Sequence, residues 1–89
     1  MNYPKFKDKS DRVHTCIAWA CGMPKLNWEW YGFEKDSDDV YFGYVMGFED
    51  EWGTFSALEL KENGIKLVTD AKALNEIAPP IGWTKVDAV

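Results

Sequence analysis

Residues 27–47 read NWEWYGFEKDSDDVYFGYVMG, and this stretch decides the fold. Aromatic and β-branched side chains fill alternate positions on either side of a polar break, the pattern of two half-buried strands. In 27–34, Trp28, Trp30 and Gly32 share one face while Glu29, Tyr31 and Phe33 share the other. Lys35-Asp36-Ser37-Asp38-Asp39 is a connection of hairpin length. The next strand spans 40–47, where Gly43 and Gly47 mark a bulge or a point at which another element nears the backbone. Upstream, Val13, Thr15, Ile17 and Trp19 alternate with His14, Cys16, Ala18 and Ala20, so 12–20 reads as a strand, broken by Cys21-Gly22-Met23-Pro24-Lys25. Consecutive strands with short polar connections favour an antiparallel meander.

Downstream, residues 53–64 read GTFSALELKENG. Ser56 with Glu59 three positions on fits a capping box: the hydroxyl accepts from the Glu59 amide and the Glu59 carboxylate reaches back to the Ser56 amide. Phe55 is placed to staple onto Leu60, and Gly64 suits the left-handed residue that ends a helix, which predicts a two-turn helix over 57–63. Trp28 and Trp30 are expected in the core beneath it. A short strand over 65–68 and a short helix over 71–77 follow, the helix capped by Asp70 and stopped by Pro79-Pro80. Residues 81–89 have no clear pattern, except that Trp83 should fold back out of water. The expected architecture is α+β: a small antiparallel sheet of three to five strands with one or two short helices packed on it. At 89 residues it forms one domain, 1–89, with 1–11 as a flexible N-terminal arm.

A domain this short buries a small share of its apolar surface, and here five Trp, four Tyr and five Phe supply the bulk. That aromatic content argues against disorder. No run approaches the roughly 18 apolar residues of a membrane helix, and MNYPKFKDKSDR lacks the apolar stretch of a signal peptide, so the expected location is the cytoplasm. The formal charge is -5 and the pI about 4.7, which argues against direct binding to a nucleic-acid backbone. Residues 29–59 hold nine acids and one base, whereas 1–12 carry a balance of +2. The acidic middle also contains most of the aromatics.

Residues 27–70 resemble a family of small bacterial and phage domains of unknown function. Its members share a Trp-rich strand, an acidic turn, an FFGYxxGFExExGYFSLxEL-like core and a following Gly-Ile-x-x-x-x-Asp element. The matching positions are Phe42-Gly43-Tyr44, Gly47-Phe48-Glu49, Glu51, Gly53, Phe55-Ser56, Glu59-Leu60 and Asp70. The chain departs from the pattern before residue 13, where members have a longer arm, and after Asp70, where an aromatic RDLYF-like continuation is missing. The resemblance implies an origin on phages, plasmids or other mobile elements and transfers no catalytic residues.

His14, Cys16 and Cys21 are the soft ligands of the chain. His14 and Cys16, two apart on a strand, share a face, and Cys21 joins them only if the chain bends before Gly22. A structural zinc on these three residues stands against the reading in which both cysteines are small core residues and no cofactor is bound. A Cys nucleophile with a His base would need contact at about 2.6–3.2 Å, which parallel side chains on one strand face do not give, so no enzyme is expected. Glu49-Asp50-Glu51 with Asp36, Asp38 and Asp39 lacks the oxygen spacing and central Gly of an EF-type calcium loop, and a glycosidase cleft is more than so short a chain provides. These acids, with Trp52, read either as solvated loops or as a surface that docks on a basic groove. The expected function is stoichiometric protein binding by a phage or mobile-element protein, an anti-CRISPR-type inhibitor whose partner has a basic surface, such as a nucleic-acid-handling effector. The alternative is a non-inhibitory accessory module of a mobile element's own machinery. Neither a membrane nor direct nucleic acid is an expected partner.

Overall fold

The computed structural model describes residues 2–22 and 28–86. Its elements are β1 (Lys5–Lys7), β2 (Val13–Thr15), β3 (Ala18–Cys21), β4 (Glu29–Lys35), β5 (Val40–Met46), β6 (Asp50–Ser56), α1 (Ala57–Glu62), α2 (Ala71–Leu74) and β7 (Thr84–Val86). The expected meander is present as an antiparallel four-stranded sheet in the order β3-β4-β5-β6. The acidic turn closes β4 onto β5, with the Asp36 N–H donating to the Val40 carbonyl at 2.8 Å. Gly32 lies opposite Gly43, but the next pair is Glu34 with Phe42, so Phe33 is an extra, bulged residue. The bulge resets the alternation, and Lys35 comes level with Tyr41 and extends its ammonium over that ring.

One face of this sheet presents Ala18, Ala20, Trp30, Tyr41 and Phe55, and α1 covers it through the buried Leu60, followed by Ile65 and Leu67. The Ser56 hydroxyl caps α1 by accepting the Glu59 N–H at 3.1 Å, and Gly64 takes the left-handed φ of 76°. The carboxylate bonded at this cap is not, as expected, that of Glu59 but that of Asp39. Its Oδ1 accepts the Leu58 N–H at 2.6 Å, its Oδ2 accepts the Ser56 hydroxyl, and its carbonyl accepts the Ala57 N–H at 2.8 Å. The helix start is thereby tied to the β4–β5 turn, which Glu59 alone would not do.

The opposite face carries Tyr31, Phe33 and Met46, packed against Phe6, Cys16, Leu74 and Trp83. A second antiparallel sheet, ordered β2-β1-β7, covers this face together with α2. The expected free arm over 1–11 is, in its described residues, part of the fold: β1 is the centre of a sheet and Phe6 is 0% exposed. The turn after β1 is organised by Asp8, whose Oδ1 accepts the N–H groups of Ser10 at 2.8 Å and Arg12 at 3.0 Å. Asp11 completes the turn with a φ of 65°.

The expected strand over 12–20 is two strands in different sheets. The Cys16 N–H donates to Pro4 and the Ile17 N–H to Gly32, both at 2.9 Å, so the chain changes partners between these residues. The 65–68 segment contributes one bridge, Val68 with Trp19, along the β3 edge. Asp70 caps α2 as expected, accepting the Ala73 N–H at 3.1 Å, but the helix ends at Leu74. Tighter turn bonds then run through Ile77, well before Pro79. Trp83 does fold back into the core, and the tail after it forms β7. The Met23-Pro24-Lys25 turn signal, Asn27 and the last three residues of the tail lie outside the described residues. Among the described residues no helix is long and apolar enough to cross a membrane.

Candidate protein-interaction surface

The smaller sheet is too narrow to cover the whole face of the larger one. The cover takes in Tyr31, Phe33 and Met46, while Trp52 on β6 stays 45% and Phe42 on β5 37% exposed. These two rings stack with centroids 6.1 Å apart and an interplanar angle of 17°. Behind them the aromatic layer continues inward. His14 lies 5.0 Å from both Phe33 and Trp52 and 5.4 Å from Trp83, and Trp83 meets Tyr44 at 4.9 Å. The shelf is thus the exposed rim of the core, held from below by buried rings and unable to collapse further without losing them.

Electrostatics along the shelf are set by carboxylates. The His14 ring is oriented by Asp8, with Nε2 to Oδ2 at 2.8 Å. That hydrogen bond, helped by the Arg12 and Ser10 amides, holds the Asp8 carboxyl below its usual range. Burial raises the Tyr44 hydroxyl above its ordinary value, and the nearby Asp50 carboxylate adds to the rise. Asp50, Glu51 and Glu49 are all exposed and run directly into Trp52.

The acids read together from sequence fall into two places. Asp36, Asp38 and Asp39 sit in the β4–β5 turn, whereas Glu49-Asp50-Glu51 lie at the β5–β6 turn, the length of β5 away. At about 3.4 Å per residue, a strand of this length separates the groups by roughly 20 Å. Asp39 is moreover committed to the α1 cap, so it belongs to the fold and not to a docking surface. Glu49, Asp50 and Glu51 lead directly into Trp52, Asp50 on the same sheet face as its ring and Glu51 on the other. Phe42, on the neighbouring strand β5, joins Trp52 by register, which no local sequence signal announces.

The three proposed zinc ligands do not converge. His14 is held in the aromatic layer by Asp8, Cys16 is 0% exposed with its Sγ donating to the Ala18 carbonyl at 3.3 Å, and Cys21 is exposed at the end of β3. The change of sheet between Cys16 and Ile17 carries Cys21 into the other sheet, while the Asp8 bond holds the His14 ring and the Ala18 carbonyl holds the Cys16 thiol. Among the described residues no group of three His, Cys, Asp or Glu is gathered as a metal site. Burial pushes the Cys16 thiol up to about 12. Iodoacetamide at about pH 8 is accordingly expected to add one adduct to the folded protein, on Cys21, and a second only after denaturation. Peptide mass mapping checks this, and labelling of both or neither in the folded state would contradict the placement.

On the other side of the sheet, Trp28 and Trp30 do lie by the first helix, half-buried, with ring centroids 5.8 Å apart. With Gly22, Phe55, Glu59 and Leu60 they line a cavity of about 360 Å³. Trp28 also sits over Gly47, where an added Cβ would fall 2.5 Å from its ring. Comparison of the chain with family models, curated proteins and solved structures returned no match.

Proposed function

We propose that this chain is a stoichiometric protein-binding domain that docks on a basic surface of a protein partner. The observation that carries this reading is the run of three exposed carboxylates, Glu49, Asp50 and Glu51, at the start of the strand whose exposed Trp52 stacks on Phe42. Aromatic anchors bordered by charge are what protein interfaces use, the ring supplying contact area and the charges steering approach. On this reading the partner is a nucleic-acid-handling complex of the bacterial cytoplasm, such as a CRISPR effector, whose basic channel is made for an anion. The mobile-element origin implied by the Phe42-Gly43-Tyr44 to Leu60 motif supports the inhibitory version. No catalytic step is assigned.

The test is a panel of purified CRISPR effector complexes assayed for target cleavage and for binding, with the parent chain and the triple variant Glu49→Lys, Asp50→Lys, Glu51→Lys. The parent is expected to bind one effector stoichiometrically and block cleavage. The variant should melt like the parent and associate at least about tenfold more slowly at low salt. Equal association by parent and variant would remove the acidic patch from the contact. Failure to inhibit any effector would remove the inhibitory role.

A further inference from the structure

We infer that the outer edge of β6 is a strand-addition site that takes an extended, lysine- or arginine-rich segment of the partner. The inference rests on the binding role just proposed and adds its mode. β6 is the last strand of its sheet and seven residues long. Among the described residues, only β5 pairs with the backbone of Asp50–Ser56. A strand edge of this length presents a row of N–H and C=O groups bonded only by water, and the ligand that matches the whole row is another extended backbone. The opposite edge of the same sheet differs, because β3 exchanges both backbone bonds of Trp19 with Val68 at 2.9 and 2.7 Å. The edges of the smaller sheet, β2 and β7, are three residues each.

The charge selects the occupant. Residues 36–60 contain no Lys, Arg or His, so a strand arriving along β6 meets Asp50 and Glu51, with Glu49 beside them, and no cation from β5, β6 or α1's first turn. A second copy would bring three more acids to the same edge and no base, whereas a basic segment neutralises what it finds. Side-chain alternation then sets its pattern. Next to Trp52 a cationic side chain can lie over the exposed indole. On the other face, no heavy atom lies within 4 Å of where a Gly53 Cβ would stand, so a side chain of the added strand has room there.

The experiment titrates an alternating lysine–valine hexapeptide into the isotopically labelled full chain at low salt, alongside the same peptide N-methylated at alternate residues. Methylation keeps the charges and removes the strand's hydrogen-bond donors. Strand addition predicts that the first peptide shifts the amide resonances of 50–56 and that the methylated peptide binds at least about tenfold more weakly, the equivalent of one or two backbone hydrogen bonds. Equal binding of both peptides overturns strand addition while leaving the basic-partner reading intact. Binding of neither overturns both. Sedimentation of the free chain as a dimer with protected 50–56 amides would give the edge to a second copy and overturn the proposal.

Discussion

Gly43→Ala is expected to cost the protein more than about 3 kcal/mol of stability, while Gly53→Ala, the neighbouring glycine in the same cross-strand row, leaves it as stable as the parent or slightly more so. Gly32, Gly43 and Gly53 are paired in register across β4, β5 and β6. A Cβ on Gly43 would stand 1.7 Å from the Tyr31 carbonyl oxygen, 2.8 Å from its carbon and 3.0 Å from the Gly32 Cα. All three are backbone atoms of an interior strand that is paired on both sides, so no rotamer change relieves the clash. Overpacking costs about 1–3 kcal/mol where side chains can yield and more where they cannot. A loss above about 3 kcal/mol is expected here, against a total of roughly 5–10 kcal/mol for a domain of this size. Gly53 has no such neighbour, and the lower unfolded-chain entropy of Ala favours the folded state there by about 0.4–1 kcal/mol. Urea melts of the two variants decide the matter. Parent-like stability of Gly43→Ala would mean that β4 and β5 do not approach as closely as described.

Both readings of Gly43 that the sequence allowed were partly right in an instructive way. The close approach is at Gly43, and the bulge is across from it, at Phe33. The meander was legible because β4 and β5 are long enough to show alternation, and the caps of both helices were legible because Ser56 and Asp70 act on amides three residues away. The smaller sheet was not. Its strands are three residues long, too short to display a period of two, and β1 finds β7 across nearly the whole chain. β6 was overlooked for a different reason. Charge at a sheet edge discourages unwanted pairing, and Glu49-Asp50-Glu51, which carry that charge here, look in sequence like a loop. For the candidate surface, exposure of Trp52 beside the acids could be read locally. The removal of Asp39 from that surface could not, because its partners, Ser56 and Leu58, lie 17 and 19 residues away.

Phe6→Ala tests the part of the fold that the sequence concealed. The segment around it, Lys5-Phe6-Lys7-Asp8-Lys9, has one apolar residue among charges and would be dismissed as an arm. In the structure its ring meets Tyr31 edge-on, with centroids 6.1 Å apart and planes at 80°, and it shares the core with Cys16, Leu74 and Trp83. Tyr31 is itself fixed at the far end, its hydroxyl 2.8 Å from Glu29 Oε2 and 2.9 Å from the Ala78 carbonyl. The ring therefore cannot slide into the space a truncated Phe6 would leave. Phe→Ala at a site that cannot collapse costs about 3–5 kcal/mol, and that loss is expected here, with the melting temperature falling accordingly. Lys5→Ala, on an exposed side chain of the same strand, should change stability by less than about 0.5 kcal/mol. Because β2 and β7 each pair with β1 and not with each other, amide exchange should report the loss in both strands together. If β7 amides keep their protection when those of β2 lose it, β1 is not the strand that joins the two ends of the chain.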